Sequence, residues 1–431
     1  MDGFRAYARH VNPALGRFLE LTGRGTRFVR AEGALLYDAE GLAYDDFLAG
    51  FGSLNFGHNP SRIKSKIAAH LASSVPNVYP ESLNPFAGAL CARLCELSKG
   101  AFETVFLCNS GTEAVEAALK SAVLATGRPR IAYLEGGYHG TTLGSLACMA
   151  KGLYRDPFET LLTRFVELPF GDLEALKRGL EQGDIAGFLL EPLQMEAGAR
   201  LVSQHYFQEA ARLCKAHGAL LLLDEVQTGM GRSGALFAYE RLGAAPDMLM
   251  LAKSLGAGIV PVGATLMAKG LWERAYGDYL RSEIHNSTLG GSALACQTAQ
   301  SVLDELLEAG FFDQVKMRGD ALFKALGERT KHSSLVRRIT HLGLLGGVEL
   351  ADVKHPWLSW EGMGLPELAS YPSSGPLIVE RLFRKRILAQ VCGHDWAVVR
   401  VEPPLCVSEE ACERFVDAFG QAVDWLEENA A

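Results

Sequence analysis

From about residue 85 the chain carries five short apolar runs with no polar alternation. They are "TVFLC" (104–108), "IAYL" (131–134), "AGFLLEP" (186–192), "ALLLLDE" (219–225) and "DMLMLAK" (247–253). Helix-length amphipathic segments lie between them. A strand wetted on one face alternates polar and apolar residues, whereas a strand covered on both faces reads as a continuous apolar run. Five such strands spaced by helices imply an α/β fold with a mostly parallel central sheet. In such a sheet, ligands bind beyond the carboxyl ends of the strands. The polar residues that follow each run are therefore the ones to weigh.

The flanks of this region differ. Residues 34–48 read as a hairpin, with "ALLY" and "AYDDF" around the turn "DAEG". "AGFGSLNFGHNP" reads as loop. From about 310, short strands ("LLGGVEL", "VVRVEPPL") mix with helices, and "SEEACERFVDAFGQAVDWLEEN" reads as a final amphipathic helix with Ser408 as N-cap. Residues 353–376, rich in Pro and Gly with two tryptophans, form an irregular excursion.

At 431 residues the chain can bury a sizeable core and favours more than one domain. A net charge of -8 without a basic stripe argues against nucleic-acid binding. No run is long enough to span a membrane, and "MDGFRAYARH" has no apolar core of a signal peptide. The nine cysteines are scattered. Cys91 and Cys95 have no second pair at metal-ligand spacing, so no metal site is expected, and a cytoplasmic, reducing location is.

Each strand end admits a bland reading and a chemical one. In "LCNSGTEAVEAALKSA", Ser110 and Glu113 have capping-box spacing. The helix start with Ser110, Gly111 and Thr112 could cradle a phosphate or be an ordinary capped helix. "GGYHG" offers the rings of Tyr138 and His139 beside permissive glycines, for stacking or merely a turn. "EPLQMEAG" places Glu191, Gln194 and Glu196, and "DEVQTG" places Asp224 and Glu225, at one sheet edge. Buried carboxylates need partners, so these acids suggest a shared cation unless they are solvated. Lys253 ends the run in "LAKSLGAG"; desolvation there would make it a competent amine nucleophile, while a snorkelling lysine is the plainer alternative. "GMGRSG" (229–234) has the glycine spacing of a dinucleotide fingerprint, but two carboxylates precede it where a pyrophosphate would be repelled.

Taken together, these motifs supply a phosphate cradle, a ring to stack on, an acid for a pyridine nitrogen and an amine for an aldehyde. The chain resembles the class III, or ω-type, aminotransferases of pyridoxal-phosphate fold type I over most of its length, from "FLAGFGSLNFGH" to "VRVEPPL". The resemblance implies a large cofactor domain over 61–310 and a smaller α+β domain built from 1–60 and 311–431. It implies that Lys253 binds pyridoxal phosphate covalently and that Asp224 pairs with its ring nitrogen. Ser110, Gly111 and Thr112 would hold the phosphate, and Tyr138 and Val226 would cover the two ring faces. His139, Glu191 and Gln227 would also border the cofactor, Gln227 near the ring hydroxyl. Thr288, in "HNSTLGGSALAC", would reach the phosphate of a neighbouring subunit, which implies a homodimer with shared sites. Glu196 and Arg400 match an acid–arginine pair at the substrate end. Met195, where many relatives have glycine, is expected to narrow the space near Glu196.

The implied reaction is transfer of an amino group from an ω-amine, diamine or ornithine-like donor to a keto acid such as 2-oxoglutarate. A biosynthetic aminotransferase for an unusual aldehyde, an aminomutase and an amino-acid racemase remain open alternatives on the same pocket. A non-enzymatic binding fold would have no need to keep Lys253, Asp224 and the phosphate motif together.

Overall fold

The computed structural model describes residues 3–21, 25–79 and 81–430. Its centre is a seven-stranded sheet: β1 (Thr104–Cys108), β2 (Arg130–Leu134), β3 (Phe165–Leu168), β4 (Ile185–Leu190), β5 (Leu220–Asp224), β6 (Met248–Leu251) and β7 (Gly263–Met267). The spatial order is β1-β7-β6-β5-β4-β2-β3. β7 runs antiparallel to both of its neighbours. The other pairings are parallel. The five runs in the sequence are β1, β2, β4, β5 and β6. Two further strands appear. β3 is a short edge strand, and β7 enters the sheet against the general direction.

The four leucines of β5 explain the missing alternation. Leu221 and Leu223 join the core on one face, with Phe188, Leu249 and Phe207. Leu220 and Leu222 join the core on the other face, with Leu189, Met250 and Leu119. Burial of each leucine contributes roughly 1.5–3 kcal/mol, against about 0.5–1 kcal/mol of lost rotamer freedom. Packing therefore sets this strand. The helix Gly111–Thr126 covers the second face through Ala114, Val115, Ala118, Leu119 and Ala122.

Two smaller sheets flank this layer. One is a meander of Phe28–Glu32, Leu35–Asp38 and Ala43–Asp46. The expected hairpin is its second half, with Gly41 at φ 82° in the turn. Ile387–Leu388 adds to it in parallel, so a C-terminal segment completes an N-terminal sheet. The other sheet is antiparallel and holds Val336–His341, Gly346–Leu350, Val398–Val401 and Gln390–Val391. It shares a core with the helices Phe311–Thr330, Ser374–Arg384 and Glu409–Ala430. The last of these is capped by Ser408 as expected, whose Oγ accepts from Ala411 N at 3.2 Å. No described helix is long and apolar enough to cross a membrane.

Candidate active site

Strand register brings the singled-out residues to one edge. Asp224 lies opposite Met250 across β5 and β6. Lys253 follows three residues later, so both leave the same end of adjacent parallel strands. Glu191 leaves β4 and the 136–140 loop leaves β2, also parallel neighbours in this stretch of the sheet. β1 delivers Ser110.

Asp224 is 5% exposed. Its Oδ2 sits 2.8 Å from His139 Nδ1, and its Oδ1 accepts from Val226 N at 3.0 Å. The other ring nitrogen of His139 is buried and has no partner among the described residues. Glu191 accepts from Tyr138 N at 2.9 Å, which locks the ring-bearing loop to β4. Burial first, and then the charge of Asp224, pushes the Glu191 carboxyl well above its usual range. Glu191 is thus a loop anchor, beside an aspartate that faces a histidine.

The neighbouring carboxylate in the "DE" pair turns the other way. Glu225 is fully buried and accepts from Ala238 N at 2.5 Å and Tyr239 N at 2.7 Å. It caps the N-terminus of the short 3₁₀ helix Ala238–Arg241 and shares no cation with Asp224 among the described residues, contrary to the shared-cation expectation. The arginine of "GMGRSG" has a structural role as well. Arg232 is fully buried and reaches Asn55 Oδ1 at 2.6 Å and the carbonyls of Leu344 and Pro403. Those glycines lie in a tie between three parts of the chain.

Ser110 caps the helix Gly111–Thr126, accepting from Glu113 N and donating to Glu113 Oε2 at 2.8 Å. Asn109 N, one residue before the cap, donates to the same oxygen at 2.9 Å, in place of the Ser110 N–H of a standard capping box. Ser110, Gly111, Asn109 and Lys253 line one cavity of about 320 Å³. Thr112 does not line it; its hydroxyl lies 2.6 Å from Thr142 Oγ1 and 2.7 Å from Ser145 Oγ. Gly111 has a steric reason: a Cβ there would lie 2.8 Å from Val226 Cγ1. Lys253 is half-buried at φ 44°, a left-handed conformation that costs an ordinary residue about 1–3 kcal/mol. Its ammonium forms no hydrogen bond or ion pair among the described residues. Desolvation lowers its pKa, opposed by the charges of Glu402, Glu196 and Asp224.

A second constellation adjoins the first. Arg400 is fully buried; its Nη1 donates to Glu196 Oε1 at 2.8 Å, and its Nη2 lies 3.3 Å from Glu402 Oε2. Burial opposes its charge, but Glu402 and Glu196 outweigh burial and raise its pKa. Burial alone would raise the Glu196 carboxyl; Arg400 and the N–H of Gly393, which donates at 2.7 Å, lower it instead. The arginine also lies over the ring of Phe51, 4.9 Å from its centroid. Gln227 Nε2 donates to Glu402 at 2.8 Å and to the carbonyl of Phe51 at 3.3 Å. Glu402 thus links Gln227 to Arg400, a role the sequence reading missed because it stood at the end of a strand motif. Its burial and the glycine facing it are the structural signals: a Cβ at Gly52 would lie 2.5 Å from Glu402 Oε1.

Tyr138 packs edge-on against Tyr154 (6.3 Å) and beside His394 (6.0 Å), two more residues the sequence did not flag. Met195 is fully buried in a separate core with Leu345, Cys392 and Val398, so it does not narrow the space at Glu196 as expected. Thr288 is exposed on a turn outside both cavities.

Comparison with known proteins agrees with this geometry. The family model "Aminotransferase class-III" matches residues 24–423. The aminotransferase PigE of Serratia sp. (strain ATCC 39006) is 34% identical over 99% of this chain. The chain spans about half (54%) of that protein's length. The ornithine aminotransferase of Toxoplasma gondii ME49 superposes with a TM-score of 0.85 at 25% identity, covering 99% of this chain and 95% of that one. An amine transaminase from an uncultivated Pseudomonas species, solved with pyridoxal phosphate bound, gives a TM-score of 0.82 at 26% identity over 93% and 95% of the two chains. The fold is that of the fold type I transaminases, and the chain belongs to the class III aminotransferase family.

Proposed function

We propose that the protein transfers an amino group from an ω-amine to a keto acid such as 2-oxoglutarate, with pyridoxal phosphate as cofactor. The observation that carries this reading is Lys253: an unpartnered, desolvated amine in a left-handed conformation, opening on the cavity that also meets the N-terminus of the helix Gly111–Thr126. The residues present fit the cofactor. Gly111 leaves the gap beside Val226 that a Cβ would fill, and the helix N–H groups and Ser110 suit a phosphate. Thr112 would have to release Thr142 and Ser145 to assist. Asp224, oriented by His139, would hold a proton on the ring nitrogen. Tyr138 and Val226 would cover the ring faces.

Pyridoxal phosphate, when bound, supplies an aldehyde for the donor's nitrogen and a ring that accepts electrons. Lys253 supplies the rest of the proton chemistry. Its lowered pKa leaves more free amine at neutral pH than an ordinary lysine has, so Nζ can take the proton from the carbon bearing the donor nitrogen. Arg400, paired with Glu196, presents no free cation to an amine lacking a carboxylate. If Glu196 swings away, the guanidinium can fork onto the carboxylate of a keto acid. The likeness to the ornithine aminotransferase of Toxoplasma gondii supports counting diamines and ornithine-like compounds among the donors to be tested.

A homodimer with Thr288 reaching the partner's site agrees with the surface. Leu83, Tyr279, Leu280, Ile284 and Leu289 are all more than half exposed. Asn84 Nδ2 donates to the carbonyl of Gly291, which sets the first of these beside the Thr288 turn. All nine cysteines are free, which supports a reducing compartment such as the cytosol.

Single-turnover half-reactions of the holoenzyme test the switch. Arg400→Ala is expected to slow the keto-acid half-reaction by about 100-fold, the scale of losing a buried charge-assisted pair, and the amine half-reaction far less. Equal losses would contradict the switch. Conversion of a substrate without consumption of keto acid would replace transfer with mutase or racemase chemistry.

A further inference from the structure

The excursion at 353–376 has no part in the chemistry above, yet it walls a cavity of about 510 Å³ that ends on Glu196 and Arg400. Trp360, Leu365 and Leu368 come from the excursion itself; Val391 and Trp396 face it from the strand and loop beyond. This wall is built rather than loose. Trp360 is 7% exposed and donates from Nε1 to the carbonyl of Tyr371 at 2.7 Å. Tyr371 stacks on Trp396 at 4.4 Å, and Trp360 meets Trp396 edge-on at 5.8 Å. Leu365 N returns to the carbonyl of Trp360 at 2.8 Å, closing the loop on itself.

Charge in this cavity is confined to its two ends. At the inner end Arg400 is already held by two carboxylates. At the outer end Glu367 is exposed and has no ion pair among the described residues. The rest of the lining is mainly aromatic and aliphatic, with Gln390 as its one side-chain amide and Tyr154 as its one phenol. A second ammonium on the donor would lose its water there and find only an exposed carboxylate, whose pairing in solvent is weak. A hydrocarbon body would gain from burial along the whole wall.

We propose that this cavity selects the substrate by its apolar body: a monoamine, or the matching aldehyde, carrying an aliphatic or aromatic group that lies against Trp360, Leu368 and Trp396. This inference rests on the aminotransferase reading and narrows its donor range away from short diamines.

The test pairs a reactive series with an unreactive one. In the amine half-reaction of the holoenzyme, followed by bleaching of the cofactor's visible band, unbranched alkylamines from propyl to octyl are compared with putrescine and ornithine. Each added CH₂ is expected to raise kcat/KM roughly fourfold until the cavity is filled. Putrescine and ornithine should fall below the alkylamines of equal length. In Trp360→Ala and, as a milder change, Leu368→Asn, the dependence on chain length should flatten. Unbranched alkanols cannot react; their binding to cofactor-free protein, read by tryptophan fluorescence, should tighten with length and weaken in the same variants. A flat series in both assays, or putrescine outpacing the alkylamines, would overturn the proposal. If alkanols bind with that length dependence and no amine bleaches the cofactor, the apolar cavity stands and the aminotransferase reading falls.

Discussion

Adjacent side chains at the end of β5 serve different ends, and physical chemistry separates them. Asp224 keeps one oxygen for His139 in the site, whereas Glu225 turns inward to two backbone N–H groups. Its pKa is pushed up to about 8, first by burial and against those two hydrogen bonds. Between the ordinary carboxylate value and about 8, the folded protein keeps a proton that the unfolded chain has released. This contribution to stability is complete below the unfolded pKa and is lost as pH rises through about 8. Between pH 4 and 9 wild type is expected to lose a few kcal/mol of unfolding free energy relative to Glu225→Gln, which has no group titrating at that position. A constant difference would mean that Glu225 titrates alike in the folded and unfolded chain. The sequence showed the pair of acids but not their directions. Residues one apart on a strand end diverge, and only the 238–239 backbone decides which one is captured.

At the scale of elements, the five unalternated runs were legible because two-sided burial leaves a plain mark on composition. β3 was not, since "FVEL" is short and keeps a glutamate at an edge. β7 was not read either: "GATLM" opens on glycine and holds a threonine, and nothing local shows that it enters the sheet antiparallel. The helix start at Gly111 was readable from its capping box. What could not be read was that Val226, from the loop after β5, presses on that helix start. Gly111→Ala would place a Cβ 2.8 Å from Val226 Cγ1, and overpacking of this kind costs about 1–3 kcal/mol. If the helix yields at the cofactor cavity, retention of pyridoxal phosphate should weaken by about tenfold, measured by equilibrium dialysis, with little change in the urea midpoint. Unchanged retention would remove Gly111 and Val226 from the cofactor's contacts. Glu402 and the Trp360 wall escaped the sequence for a shared reason. Both are joined to the site by contacts between residues far apart in the chain, which no local pattern records.

For the whole molecule, Arg232 ties Asn55 to the carbonyls of Leu344 and Pro403, and Ile387–Leu388 extends the N-terminal sheet. The site thus rests on segments from both ends of the chain. Leu83, Tyr279, Leu280, Ile284 and Leu289 are exposed, and the proposed homodimer would cover them and bring Thr288 to the other site. Sedimentation equilibrium is expected to give twice the chain mass. Leu280→Asp combined with Leu83→Asp should shift the protein toward monomer and weaken cofactor retention with it; a monomer that keeps its cofactor would contradict shared sites. In the proposed site, Lys253 and Asp224 address one cofactor from adjacent strand ends. The most direct measurement of this is borohydride reduction of the yellow holoenzyme followed by peptide mapping. One stable pyridoxyl adduct is expected, on Lys253; an adduct on a different lysine, or none, would contradict the assignment.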